Sequence, residues 1–283
     1  MAYKGKYIEE SVARLLMYGS VFIVLCFVLS VIYTVLQRGL PVLTWEMVSS
    51  LPGGGFYIGK EGGFLNAIVG SIYIVTASTA IGLLIAIPVV FYLNVYLKSD
   101  DCFGYIARIS FDVLFGIPSI VYGAFGFTIM VYFGLRASLL GGIIVETLLI
   151  IPILIRTLDE VAKTIPNDLL ESSYSVGSTR IETIGVVVRQ IAPAIATATL
   201  LSVGRSIGDA AGVMFTAGFS DSIPTSLSQP AATLPLSVFF QLSAPQLEVQ
   251  NRAYAAAVVL TFIVLALSLM GRFIMNRFSK NKI

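Results

Sequence analysis

Arg205 and Asp209 stand four residues apart inside an otherwise apolar stretch, Leu200-Leu201-Ser202-Val203-Gly204-Arg205-Ser206-Ile207-Gly208-Asp209-Ala210-Ala211-Gly212. A guanidinium can pair two oxygens of an oxyanion at once, and a carboxylate one helical turn away can balance it when no anion is present. An arginine at the centre of a bilayer costs about 2.5–3.5 kcal/mol even on the lenient insertion scale, so it normally faces a bundle interior or a water-filled path. The chemistry suggested is an anion-selective step, with Arg205 and Asp209 along the substrate path. The structural alternative is an intrahelical ion pair that only lowers the insertion cost. Gly204, Gly208 and Gly212 recur every four residues and predict close helix packing around the charged face. The other acid in an apolar run, Glu146, is expected to mark helix packing or a boundary, with a transport role as the less favoured alternative.

Other chemistry is poorly supplied. The chain has no His, which removes the commonest catalytic base and metal ligand. Of its two cysteines, Cys26 lies in an apolar run and Cys102 in a polar connection, so neither reads as structural or catalytic. No catalytic residue and no metal site is expected. Gly54-Gly55-Phe56-Tyr57-Ile58-Gly59-Lys60-Glu61 follows a phosphate-binding loop up to its last position. There Glu61 replaces the magnesium-binding hydroxyl, and a Pro-Gly lead-in replaces the buried strand, so a flexible loop is expected instead of a nucleotide site.

The elements that position Arg205 must be membrane helices. The 283 residues are 57% hydrophobic and 12% charged, where soluble chains carry roughly a quarter charged residues. Several apolar runs reach the roughly 20 residues that cross a bilayer. Six spans are predicted, at residues 15–37, 64–97, 111–133, 138–155, 191–219 and 254–275. The first is too long for a signal-peptide core and reads as retained. Arg205 then lies about 14 residues, or about 21 Å at helical rise, into the fifth. With both termini inside, thirteen Lys and Arg are cytoplasmic, four are outside, and Arg205 is left within a span. The excess of inside charge places both termini in the cytoplasm of a multi-pass protein of the cell membrane.

Two long connections follow from this topology, residues 157–190 inside and 220–251 outside. In the inner one Pro166 starts a short helix and Gly177 stops it, giving a surface helix at about 166–177. Leu169, Leu170 and Ser173 share one face of it. The small Ser172 and Ser173 would admit a close partner, and Glu171 offers it a charge-assisted contact. In the third span Gly116, Pro118 and Gly123 predict a loosened helix, either a hinge or a static kink. Outside, the apolar residues 234–242 predict a short helix resting on or dipping into the membrane.

Glu171-Ser172-Ser173, followed by Gly177, resembles the Glu-Ala-Ala-x-x-x-Gly signature of permease subunits of ABC importers, with serines for both alanines. Arg205-Ser206-Ile207-Gly208-Asp209, Phe215-Thr216-Ala217-Gly218 and Thr233-Leu234-Pro235 are similar to the series found in phosphate importer permeases of the PstA type. So are Gly116-Ile117-Pro118-Ser119-Ile120-Val121 and Asn66-Ala67-Ile68-Val69-Gly70-Ser71, and Asp209 stands where that family usually has Glu. The resemblance implies an all-α integral membrane fold of the MetI-like kind, with six transmembrane helices. It divides the chain into a leader, first span and outer loop (1–63) and a permease core (64–283). It implies a coupling helix docking on a separate ATPase dimer through Glu171, Ser172, Ser173 and Gly177. It further implies a sister permease, homo- or heteromeric, an extracytoplasmic phosphate-binding protein, and no enzyme activity, nucleic-acid partner or cofactor in this chain, ATP-Mg being used by the partner ATPase. Another oxyanion such as sulfate, molybdate or tungstate remains an alternative substrate, and an ion-gradient-driven anion carrier an alternative class.

Overall fold

The computed structural model of the chain describes residues 2–53, 61–97 and 101–279. The phosphate-loop look-alike at 54–60 lies outside the described residues, as do Lys98, Lys280 and Lys282. Among the described residues five helices are long and apolar enough to cross a membrane. They belong to α1 (Ala2–Gly39), α3 (Leu65–Phe91, prolonged by a π-helical turn at Tyr92–Tyr96), α6 (Leu139–Ala162), α8 (Arg180–Ile207) and α10 (Leu247–Ser279). A bent pair, α4 (Cys102–Gly116) and α5 (Ser119–Tyr132), makes a sixth span if counted as one. Short elements complete the chain: α2 (Trp45–Ser49), an antiparallel pair of two-residue strands (Pro52–Gly53 with Glu61–Gly62), α7 (Asn167–Ser175) and α9 (Leu234–Leu242).

The third span, expected over 111–133 with a loosening at Gly116, Pro118 and Gly123, is broken into two helices. α4 starts at Cys102, because the Asp101 side chain accepts hydrogen bonds from the amides of Phe103 and Gly104, and the chain then turns by 99° between α4 and α5. Ile117 is extended, as the residue before a proline prefers, and Pro118 caps α5. Pro118 thus breaks the span outright. Gly116 is not at a packed contact: a Cβ there would meet nothing within 4 Å.

α3 and α6 cross at the centre. Ala86, Val90 and Leu93 of the α3 segment pack on Leu149, Ile150, Ile153, Leu154 and Leu158 of α6, with Ala198 of α8 closing the cluster. Gly82 allows the approach, since a Cβ on it would stand 3.1 Å from Leu154 Cδ1. At one end of this core α4 is tied to α6 by charge. Arg108 Nε donates to Asp159 Oδ2 at 3.0 Å, Asn94 Nδ2 donates to Asp159 Oδ1 at 2.8 Å, and Lys163 Nζ lies 2.7 Å from Asp159 Oδ2.

α8 begins at Arg180, eleven residues before the span predicted from hydropathy. Thr179 and Glu182 form a capping box, the Thr179 hydroxyl accepting from the Glu182 amide while the Glu182 carboxylate accepts from the Thr179 amide at 2.7 Å. Much of the expected inner loop is therefore helix. α9 occupies the residues expected of it, its Thr233 cap accepting from the Leu236 amide and its Leu234 and Leu236 buried. The Leu234 amide donates to Ser71 Oγ of α3 at 2.9 Å, so α9 is tucked against α3 as well as α10. By contrast α1 buries none of its apolar window. It touches α10 near its end, where Gly39 lies against the Tyr254 carbonyl and Arg38 sits 5.2 Å over the Tyr254 ring.

Candidate functional site

Arg205 occupies the last turn of α8 and is exposed on the single chain. A helix C-terminus favours a cation, so the fold supplies part of its stabilisation through the final carbonyl groups. It forms no hydrogen bond or ion pair with any described residue.

Asp209 does not sit one turn further along the same helix. α8 ends at Ile207, Gly208 caps it, and Asp209 lies in the irregular segment that follows. Its carboxylate is already engaged: Oδ1 accepts from the Ser119 hydroxyl at 2.9 Å and Oδ2 from the Gly212 amide at 3.1 Å. Asp209 therefore braces its own turn and fastens it to the first residue of α5. The predicted intrahelical pair with Arg205 is not formed.

The glycine stripe is corrected for the same reason. Only Gly204 is within the helix, and a Cβ there would meet nothing within 4 Å, while Gly208 faces only carbonyls of its own chain segment, at 3.8 Å and beyond. Close packing instead falls to Gly123, whose added Cβ would stand 2.7 Å from the Ala211 carbonyl and 2.8 Å from that of Gly212, and to Gly126 against Val145. Gly212 leaves room between two acids: a Cβ on it would lie 2.5 Å from Asp209 Oδ2 and 3.6 Å from Glu146 Oε2.

Glu146, expected to be a packing residue, is thereby brought to the charged site. It is fully buried, and the buried Ser206 hydroxyl lies beside its carboxylate. The signal in the sequence was a lone acid in an apolar run. What the sequence lacked was any means of bringing α6 to residues 206–212.

The predicted surface helix is α7. Glu171 and Ser172 are exposed on it, and Gly177 ends it with φ +85, a left-handed conformation that glycine adopts without penalty. Ser173 departs from the expected docking role: it is buried, its hydroxyl 3.2 Å from Thr183 Oγ1, because it shares the face on which Leu170 packs against the cluster of Phe91, Val95, Val187 and Ile191.

A third feature had no counterpart in the sequence analysis. A cleft of about 110 Å³, open to solvent, is lined by Phe64, Asn66, Asp221, Phe240, Gln241 and Arg252 among others. Arg252 donates to the Gly62 carbonyl, and Asn66 Nδ2 to the Ser220 carbonyl at 2.5 Å. Burial pushes the Asp221 carboxyl above its ordinary value.

Residues 53–282 match the family described as the inner membrane component of binding-protein-dependent transport systems. The chain belongs to that family. The phosphate transport system permease protein PstA of Haemophilus influenzae is 32% identical over 259 residues, covering 91% of this permease and 90% of the relative. The protein of the same name from Pasteurella multocida is 32% identical, with 92% of each chain covered. PstA 2 of Mycobacterium tuberculosis is 31% identical over 85% of this permease and 79% of its own length. Among solved structures, a bacterial alginate ABC transporter in complex with its alginate-bound periplasmic protein superposes with a TM-score of 0.68 at 13% identity, over 96% of each chain. The methionine ABC transporter MetNI in an inward-facing form gives 0.60 at 17% identity, over 76% of this permease and 95% of that chain. The fold is thus that of ABC importer permeases, and the protein is a multi-pass inner-membrane transport component, not an enzyme. Its family implies a binding protein outside and ATP use by a separate subunit.

Proposed function

We propose that this permease forms one half of the membrane path of an ATP-driven importer of inorganic phosphate, with Arg205 as the cationic station for the anion. Phosphate is favoured over other oxyanions by one observation, the likeness to PstA proteins over about nine-tenths of both chains. Arg205 fits an anion path because it is charged, without a partner among the described residues, and exposed on a face of a membrane helix. A guanidinium cannot be left against lipid cheaply, so a sister permease covers this face and the path runs between the two. Asp209 supports the station by holding the 209–212 turn to α5, and Pro118 gives the path wall its joint.

Both termini lie in the cytoplasm, residues 1–63 form the leader, first span and outer segment, and 64–283 form the permease core. α7 is the coupling helix: Glu171 and Ser172 face the ATPase, Ser173 locks the helix to α8, and Gly177 sets the turn that returns the chain to the membrane. The ATPase dimer hydrolyses ATP-Mg, and the cleft beside Asp221 and Arg252 opens toward the phosphate-binding protein.

The test is uptake of radiolabelled phosphate, with sulfate and molybdate in parallel, in cells lacking this gene and supplied with the wild-type or the Arg205→Gln chain. Phosphate uptake restored by wild type alone supports the proposal. Restoration of sulfate or molybdate uptake instead overturns the substrate, and normal phosphate uptake by Arg205→Gln overturns the role of Arg205.

A further inference from the structure

The cleft at the start of α3 gathers three oxygens that no donor engages. Asn66 Oδ1, Asp221 Oδ1 and Gln241 Oε1 all belong to its lining residues, and each is shielded from solvent with no hydrogen-bond partner among the described residues. They come from three elements: Asn66 from the first turn of α3, Asp221 from the segment after α8, and Gln241 from the last turn of α9. Two contacts hold these elements together. Asn66 Nδ2 donates to the Ser220 carbonyl at 2.5 Å, which commits the amide nitrogen and leaves the oxygen without a donor, and the Phe219 and Phe240 rings meet with centroids 5.4 Å apart. Asn66 is 1% exposed, so its oxygen is not met by bulk water. A buried acceptor left in this way is costly, and three of them lining one cleft call for a ligand that is positive.

The chemistry of that ligand follows from the donor set. It is oxygen alone, because the chain has no His and neither cysteine lines the cleft, and such a set suits a hard cation. Charge agrees with this. Asp221 and Glu61 line the cleft, Glu46 lines the adjoining one and Arg252 lines both, so three carboxylates face one guanidinium among the described lining residues, a net of −2. Arg252 is engaged with the Gly62 carbonyl. Calcium accepts carboxylate and amide oxygens in irregular arrays, whereas magnesium demands an octahedron and gives up its water reluctantly. Oxygens shielded from solvent are open only to an ion that sheds water.

We propose that this cleft is a calcium site, in which Asn66, Asp221 and Gln241 supply side-chain oxygens and water completes the shell. The ion ties the start of α3, the 219–221 segment and the end of α9 into one body. The assignment depends neither on the role of Arg205 nor on the substrate.

The test is equilibrium dialysis of radiolabelled calcium against the complete importer, purified in detergent without nucleotide or phosphate. Wild type is compared with Asp221→Asn, Gln241→Leu and, as a control, Glu10→Gln, which removes an exposed carboxylate near the start of α1. The expected result is one calcium per copy of this chain, half-saturated at about 10⁻⁴–10⁻³ M as in extracellular modules, with binding about tenfold weaker or more in Asp221→Asn and Gln241→Leu and unchanged in Glu10→Gln. Calcium should also raise the melting temperature of wild type and not that of Asp221→Asn. Binding in both cleft variants equal to wild type overturns the inference, as does the absence of binding up to about 10 mM. Displacement of calcium by equal concentrations of magnesium or sodium overturns the choice of ion. If Asp221→Asn does not assemble, Gln241→Leu decides alone. Docking of a binding protein that is lost in the cleft variants, with calcium bound by none of the chains, assigns the cleft to a cationic side chain of that protein and overturns the calcium site.

Discussion

Replacing Asp159 with Ala removes the acceptor that gathers Asn94, Arg108 and Lys163. The Asp159 side chain is 7% exposed, that of Arg108 24% and that of Lys163 50%. Breaking a buried ion pair by removing one partner costs about 3–5 kcal/mol, because the other charge stays buried. Arg108 keeps weaker contacts to the Leu93 carbonyl at 3.1 Å and Asn94 Oδ1 at 3.4 Å and is partly reached by water, which reduces the loss. Lys163, half exposed, belongs to the class of pairs worth about 1 kcal/mol or less. The net expectation is a loss of about 2–4 kcal/mol. Unfolding of the purified chain in mixed micelles by an increasing fraction of SDS would measure it, with Arg108→Ala and the double variant completing a cycle. A coupling of about 1–3 kcal/mol between the two positions is expected. A loss below about 0.5 kcal/mol, together with additive single and double effects, would refute the view that this cluster fastens α4 to α6.

Two further outcomes follow from other contacts. Thr179→Ala removes the capping box and should destabilise the start of α8 by about 1 kcal/mol, read as faster hydrogen exchange of the amides at 180–183; unchanged protection there would count against the cap. Asp221 holds its proton to higher pH in the folded chain than in the unfolded one, so its contribution to stability is full below the ordinary carboxylate value of 3.8 and declines as pH rises through its raised value. Asp221→Asn should therefore raise thermal stability at neutral pH and not under strongly acid conditions, and equal effects at both would exclude burial as the cause.

Much of the architecture could be read from the chain because the bilayer imposes it. Long apolar runs and the Pro166-to-Gly177 interval each reflect a local rule, and α7 and α9 fall where expected. Helix ends were harder, since hydropathy stops where a helix leaves the apolar layer. The continuation of α6 to Ala162 and the start of α8 at Arg180 depend on hydrogen bonds made beyond it. The site shows the same division. Arg205 stands out as a cation in an apolar run, but spacing alone suggested an Asp209 partner, and helix termination at Ile207 removes it. Ser119, Glu146 and Gly212 come together only through the crossing of α5 and α6 with the segment after α8, a tertiary fact that periodicity does not carry.

The pairing of α1 with α10 ties the beginning of translation to its end. Gly39 and Arg38 leave the ribosome long before Tyr254 and Val258, against which they pack. At synthesis rates of about 5–20 residues per second, that interval lasts about 10–45 s. Throughout it the first helix lacks its contact with α10, and a product truncated before α10 never forms it. The junction between the two therefore forms only once the chain has been made as far as Tyr254 and Val258.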